Sequence, residues 1–474
     1  MSRPLFLSFL AVALLAADIA SSRSADRPPN VILILIDDMG WTDLSCYGSS
    51  FYETPNIDRL AASGMRLTHG YSACTVCSPT RAAVMTGKYP GRLHITDWIE
   101  GSKRPYAKLK VPDWRMHLPH EEITIAETFK ANGYATCHIG KWHLGGPEYA
   151  PTTQGFDINI AGTHAGSPPT YFFPYKNNNS SLPGLENGRP GEYLTDRLTD
   201  EAIKFVSAAK DKPFFLYMPF YAVHTPLMAK PEKIAKYQAK AKPENPQHNA
   251  TYAAMIESLD EGIGRLMAHL DQLKLRDNTI VVFTSDNGGL KLNQVTSNDP
   301  ARAGKGSVYE GGIRVPYIFS YGPKIRAGAT SDAAVMSIDL FPTLVELCGL
   351  SPKPEKPAWD GVSVASVLLE KEPTKRDTLY WHYPHYHPGG ATPYGAVRSG
   401  DWRLVEFYEN GKTELYNLKD DVGESKDLAN SQPQKRDELL SLLRKWRSEV
   451  GAQMPTPNPE YNAERDAQQM GWQR

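Results

Sequence analysis

Two acidic pairs carry the first hint of chemistry: Asp37 with Asp38, and Asp286 with Asn287, which offer only oxygen donors. Oxygen-only sets suit Ca²⁺ or Mg²⁺ and not Zn²⁺. A single pair of this kind reads as a cap or loop. Two pairs point to a metal site, because a divalent ion removes the repulsion between crowded carboxylates. Lys141 and His143 in "GKWHLG" and His224 in "AVHTPL" add a cation and imidazoles. Imidazoles titrate near neutral pH, and fixed cations offset charge in an anionic transition state. Each alone has a plainer reading as a structural histidine, a solvated lysine or a turn residue.

The stretch "ACTVCSPTRAAVMTG" (73 to 87) has the grammar of a helix start. Ser78 reads as the cap, Pro79 as the first helical residue and Gly87 as the stop. Cys77 then precedes a helix N-terminus, which favours an anion or a nucleophile with negative character, and Arg81 adds fixed positive charge. Three readings of Cys77 stand: a redox or zinc half-site with Cys74, a buried structural thiol, or the first residue of a C-x-P-x-R motif. No second C-x-x-C or spaced Cys/His pair follows, which disfavours the first.

The elements that must position these residues alternate. "VILILI" (31 to 36) is a continuous apolar run, as in a strand buried on both faces, and it runs into Asp37. "YATCHIG" leads to Lys141, "PFFLYMPF" to His224 and "TIVVFTS" to Asp286. Helical patterns lie between them: "TPNIDRLAASG", capped by Thr54 and stopped by Gly64, "ITIAETFKANG", ended by Gly133, and the long "YAAMIESLDEGIGRLMAHLDQLK". Strands alternating with helices predict an α/β fold with a large, mostly parallel sheet sandwiched by helices. Ligands bind beyond the carboxyl ends of such strands, where these residues fall.

After about residue 370 the pattern changes to short strands with an Asn410-Gly411 hairpin signal and a closing amphipathic helix, "QKRDELLSLLRKWRSEV". This predicts a smaller C-terminal antiparallel sheet with one packed helix. Residues 167 to 192 read as a long surface loop, Asp339 as a cap and Asp360-Gly361 as a turn.

The chain has 474 residues, 41% hydrophobic and 22% charged, enough for a large core. A formal net charge of -1 gives no basic footprint for nucleic acid. Arg3, the apolar run from Leu5 to Ala17 and small residues to Ala25 read as a signal peptide. That run is shorter than the ~20 residues of a membrane anchor. The expected organisation is a signal peptide at 1–25, a catalytic α/β domain at 26–370 and an α+β subdomain at 371–474. Export to the periplasm or medium, with no stable membrane anchor, follows. Five scattered cysteines make no disulfide framework but leave one bridge open. Asn179 and Asn249 match a glycosylation pattern.

"CSPTR" and its context carry a resemblance. From "NVILILIDDMGWTDLSCYGSSFYETPNIDRL" through "GKWHLG", "AVHTPL", "VVFTSDNGG", "GKGSVYEGGIRVP" and "DLFPTLVELCGL", the chain resembles the formylglycine-dependent sulfatases of the alkaline phosphatase superfamily. The resemblance spans roughly residues 29 to 350 and implies an alkaline phosphatase-like fold. It implies that a formylglycine-generating enzyme oxidises Cys77 to 3-oxoalanine (Cα-formylglycine). Cys74, with no proline two positions on, would be left alone. One hydroxyl of the hydrated aldehyde would attack sulfur, and the second would expel sulfate. One Ca²⁺, with Mg²⁺ less suited, would be held by Asp37, Asp38, Asp286, Asn287 and modified Cys77. Arg81 and Lys141 would hold the hydrated aldehyde and His143 would take its proton. His224 would be the acid for the leaving alcohol, and Lys305 would bind a sulfate oxygen.

The activity implied is sulfuric ester hydrolysis of a sulfated carbohydrate or aryl sulfate. Its rivals are a phosphoester or phosphonate monoester hydrolase of the same superfamily, and a non-catalytic protein that binds sulfated glycans. Trp98, His164, His385 and His387, from aromatic and histidine-rich loops, are candidates for contacting a sugar ring, against a plain reading as loop packing.

Overall fold

The computed structural model describes residues 27–178, 180–242, 244–352, 358–374 and 376–471. The expected signal peptide and Asn179 lie outside the described residues. The first apolar run is strand β1 (Asn30–Ile36), buried throughout. Val31, Leu33 and Leu35 enter one core, and Ile32, Ile34 and Ile36 enter another. Each such side chain contributes about 1.5–3 kcal/mol on burial, so a continuous run, with no polar face, is what this position selects.

Seven further strands join β1: β2 (Met65–Leu67), β3 (Ala135–Ile139), β4 (Ile158–Ile160), β5 (Phe214–Pro219), β6 (Thr279–Ser285), β7 (Tyr317–Ser320) and β8 (Ala329–Ser331). Their order is β8-β2-β7-β6-β1-β5-β3-β4. Strand β7 runs antiparallel to β2 and β6, and the other neighbours are parallel. The expectation of a mostly parallel sheet holds, with one reversed strand that sequence did not disclose.

The helices that flank it include α1 (Pro55–Ala62), α2 (Cys77–Thr86), α3 (Ile125–Ala131), α4 (Leu194–Ala209), α5 (Ala250–Gln272) and α6 (Leu340–Cys348). α1, α4 and α5 pack with Ile32 and Ile34, whereas α2, α3 and α6 pack with Leu33 and Leu35. The sheet is therefore covered on both faces. α3 starts with a capping box between Thr124 and Glu127. α1 ends at Ala62 with Ser63 as its C-cap, and a Cβ at Gly64, the expected stop, would sit 2.1 Å from the carbonyl of Phe319.

Strands β9 (Thr378–Tyr383), β10 (Tyr394–Ser399), β11 (Trp402–Phe407) and β12 (Thr413–Asn417) form the antiparallel meander. Helix α7 (Pro433–Glu449) packs on it through Leu439, Leu443 and Trp446. Gly411 takes a φ of 69° at the expected hairpin. The same core holds Tyr71, Ala73, Cys74, Val76 and Ala83, so the C-terminal sheet packs against the start of α2. Asp339 accepts from the N–H groups of Met336 and Val362 and makes no side-chain cap for α6. All five cysteines are free, and among the described residues no helix is long and apolar enough to cross a membrane.

Candidate active site

β6, β1, β5 and β3 are adjacent and parallel, so their carboxyl ends open on one edge. Ile36 pairs with Ser285, which sets Asp37-Asp38 beside Asp286-Asn287. Lys141 follows β3 and donates its N–H to Pro219 O of β5 at 2.7 Å. Gly140 makes this close approach possible: its φ is 129°, and a Cβ there would lie 2.0 Å from the same carbonyl. Asp38 adopts a φ of 62°, a left-handed conformation uncommon for a side-chain-bearing residue.

α2 begins two residues before the sequence expectation. Val76 is its extended N-cap and Cys77 its first residue. Ser78 does not cap, because its hydroxyl accepts instead from the N–H of Ile99 at 3.1 Å. Pro79 still falls in the first turn, where no N–H is needed. Gly87 ends the helix with a φ of 68°. All ten residues of α2 are buried, so Arg81 enters the site without contact with solvent.

Three buried carboxylates there meet three cations. Arg81 Nε and Nη2 lie 2.9 and 2.8 Å from Asp286 Oδ2, and its Nη1 donates to Lys141 O at 2.9 Å. Lys141 Nζ is 2.6 Å from Asp37 Oδ2, and Lys305 Nζ is 2.8 Å from Asp38 Oδ1. Lys305 also stands 3.7 Å from Cys77 Sγ. His224 Nε2 is 3.7 Å from Asp38 Oδ2, while its Nδ1–H donates to Thr225 O at 2.7 Å. His143 Nε2–H donates to Ile99 O at 2.8 Å, which leaves Nδ1 as a buried, unpartnered lone pair.

Burial sets the protonation states. It pushes the Cys77 thiol up to about 11 in spite of Lys141 and Lys305. Desolvation outweighs the two lysines, so the unmodified thiol is held protonated at neutral pH. Burial also raises Asp286 to about 6, helped by Asp37 and opposed by Arg81. Asp38 is held below the usual carboxylate range because Lys305 overcomes its burial. Burial, with Lys305, lowers His224 to about 3. His143 falls well below its ordinary value through burial and Lys141.

The donor set fits a hard divalent cation. Asp37 Oδ1 and Asn287 Oδ1 are buried without hydrogen-bond partners. Ligand-capable atoms of Asp37, Asp38, Cys77 and His224 lie within 4.8 Å of one another. Asn287 donates through Nδ2 to Asp38 Oδ1 at 2.8 Å, and this turns its oxygen to the unpaired side. Asp38 is the expected ligand most committed elsewhere, because its Oδ1 meets Asn287 and Lys305 and its Oδ2 meets Lys305 and faces His224, whereas in Asp286 one oxygen serves Arg81. With the acids already matched by the three cations, a divalent ion would leave net positive charge for an anionic substrate.

A cavity of about 440 Å³, a size suited to a small ligand, opens above Cys77, His143, His224 and Lys305. Trp98, His164 and His387 line it, and Trp98 meets His387 edge-on at 5.1 Å. His387 Nδ1 accepts from Gly389 N–H at 2.8 Å, so its Nε2 carries the ring proton. His385 does not reach the cavity. It is buried, bonded to Thr96 at 2.8 Å and packed edge-on to Trp114, so its role is structural.

Sequence reasoning missed Ile99, whose backbone carbonyl orients His143, because no side chain marks such a role. It also missed the clamp behind Lys305. Arg403 of β11 binds Glu424 and Val308 O, and Glu424 accepts from Glu310 N–H at 2.6 Å.

A profile described as Sulfatase matches residues 29–350, and one for the C-terminal part of N-sulphoglucosamine sulphohydrolase matches 303–449. The chain is 34% identical to a sulfatase of Formosa agariphila over 92% of each chain. It is 34% identical to human N-acetylgalactosamine-6-sulfatase over 81% of this chain and 74% of that one. The crystal structure of Ps i-CgsB in complex with k-i-k-neocarrahexaose is similar at a TM-score of 0.75 and 29% identity, covering 94% of this chain and 98% of that one. Profile, relatives and the alkaline phosphatase-like fold agree, and the chain belongs to the sulfatase family, enzymes that hydrolyse sulfate esters.

Proposed function

We propose that this enzyme removes sulfate from a sulfated carbohydrate, with Cys77 matured to Cα-formylglycine by a formylglycine-generating enzyme. One Ca²⁺ would be held by Asp37, Asp38, Asp286, Asn287 and the matured residue. The observation that carries this reading is the buried set of three carboxylates and three cations around Cys77 at the floor of a cavity. A thiol raised to about 11 is a poor nucleophile at neutral pH, and modification removes that obstacle. When present, the hydrated aldehyde supplies the attacking oxygen, and the divalent ion lends Lewis acidity and charge.

The chain's own groups then divide the work. Arg81 and Lys141, fixed by Asp286 and Asp37, hold positive charge under position 77. Lys305, 3.7 Å from Cys77 Sγ, meets a sulfate oxygen. His143 offers the free Nδ1 lone pair that accepts a proton as sulfate leaves. His224 delivers a proton to the leaving alcohol from Nε2, the nitrogen not engaged by Thr225. An entering sulfate ester opposes the push of Lys305 and so favours protonated His224. Trp98 and His387 give a ring face and an N–H donor suited to a sugar.

The relative named N-acetylgalactosamine-6-sulfatase and the neighbour bound to an oligosaccharide support a carbohydrate substrate. We read 26–370 as the catalytic unit and 371–474 as the subdomain that buttresses it. The segment 1–25 is read as an export signal. The test is inorganic sulfate release from defined sulfated mono- and disaccharides, with an aryl sulfate and an aryl phosphate alongside. Turnover of a saccharide sulfate is expected. Preference for the aryl phosphate, or activity on the aryl sulfate with none on any saccharide, overturns the reading.

A further inference from the structure

Behind His164 lies a second cavity, of about 470 Å³, and nothing in the chemistry above uses it. His164 lines both cavities, so a single exposed imidazole stands between them. We infer that the substrate is a glycan of at least two residues, and that the sugar linked to the sulfated one sits in this second cavity as an uncharged ring. The inference rests on the carbohydrate sulfatase reading and deepens it.

Three features carry it. First, the walls suit a sugar: Trp142, Pro147 and Pro183 give apolar surface, and Thr163, Ser180 and Ser181 give hydroxyls. A pyranose presents a C–H face and a hydroxyl rim, which match such a lining. Second, among the described residues no Asp, Glu, Lys or Arg lines the cavity, whereas Lys305 and Glu100 line the first. A second sulfate or a uronate would be partly desolvated there without a counter-charge. Third, the partition is fixed to the reacting site. His143 N–H donates to Thr163 O at 3.0 Å, and Ala161 N–H donates to Pro183 O at 2.8 Å. Trp142 Nε1–H donates to Tyr149 O at 2.8 Å. The backbone that sets His143 thus also frames the second cavity, so occupancy of one orients the ligand in the other.

Gly146 gives a clean way to close the cavity. It borders the space, its φ is −76°, and a Cβ there meets nothing within 4 Å. Gly146→Trp therefore adds a bulky ring at the border of the cavity without displacing the backbone, and Gly146→Ala adds only a methyl group. The probes are N-acetylgalactosamine 6-sulfate, the same sugar extended by galactose, and the same sugar extended by glucuronic acid. Both turnover and equilibrium binding by calorimetry are measured, with the thermal midpoint as the control for folding. The galactose extension is expected to raise kcat/KM and affinity by about tenfold or more over the monosaccharide. Gly146→Trp is expected to erase that gain and Gly146→Ala to keep it, while the glucuronic acid extension gives none. Equal binding of monosaccharide and galactose disaccharide, a preference for the glucuronate, or a gain that survives Gly146→Trp overturns the inference. Failure of the parent reading looks different: no sulfate is released from any probe, and the calorimetric arm still decides the cavity.

Discussion

The clamp between the C-terminal sheet and the Lys305 segment gives a prediction whose size follows from the contacts. Arg403 is fully buried, binds Glu424 and Val308 O, and stands 3.7 Å from Glu310 Oε1. Arg403→Met strands the Glu424 carboxylate and leaves a backbone carbonyl unmet. Breaking one side of a buried pair in this way costs about 3–5 kcal/mol. Glu424→Gln is milder. Its amide oxygen still accepts from Glu310 N–H, and Arg403 keeps Glu310 nearby. Burial and Glu310 already push Glu424 up to about 7 against the pull of Arg403, so neutralising it removes less than a full charge. Its cost should be about 1–2 kcal/mol. Because Gln leaves no stranded anion, the double variant should cost less than the sum, with a coupling of about 0.5–3 kcal/mol. Urea unfolding of the four proteins measures this through the transition midpoint at constant m. The same segment carries Lys305, and Gly306 N–H holds it to Thr75 O at 3.0 Å. Glu424→Gln should therefore also lower kcat/KM while the protein stays folded. Additive costs, or a Glu424→Gln loss as large as that of Arg403→Met, would refute the reasoning.

Other outcomes follow from the same geometry. Chelation with EDTA should abolish sulfate release and lower the thermal midpoint, and Ca²⁺ at about 100 times its Kd should return about 2.7 kcal/mol of stability. Calorimetric scans with and without the ion check this. Arg81→Lys should fold but lose about 10²–10³-fold in kcat, because one ammonium cannot reproduce the fork shared between Asp286 and Lys141 O; steady-state kinetics decides. Asp97 is buried, and burial raises it to about 8 although Tyr383 and Trp98 donate to it. A raised carboxyl stabilises the fold fully below its unfolded value of about 3.9, and that contribution is lost as pH rises towards 8. Asp97→Asn should therefore gain on the wild type by about 1.4 kcal/mol per pH unit across that window, read from unfolding curves at pH 5, 6 and 7.

The sequence disclosed most of what chain-local patterns can encode. "VILILI" reads as a strand covered on both faces, as it is, and it runs directly into Asp37. Once Ile36 pairs with Ser285, the two acidic pairs must be neighbours, so the candidate ligands were legible from strand ends alone. Features made by contacts distant in the chain were not. The reversal of β7 and the Arg403–Glu424 clamp have no local signature. His385 and His387 show the limit sharply. Both stand in "YPHYHPGG", yet one packs on Trp114 and Thr96 while the other reaches the cavity, and only the fold separates them. The start of α2 shifted because Ser78 found a tertiary partner in Ile99, which no capping rule anticipates.

The central claim, that Cys77 acts as an aldehyde and not as a thiol, is tested most directly by the mass of the tryptic peptide ending at Arg81. The protein should be made by its own host. The account predicts a peptide in which Cys77 has lost sulfur and two hydrogens and gained one oxygen, with Cys74 unchanged. A fully active enzyme whose Cys77 is an unmodified cysteine would contradict it.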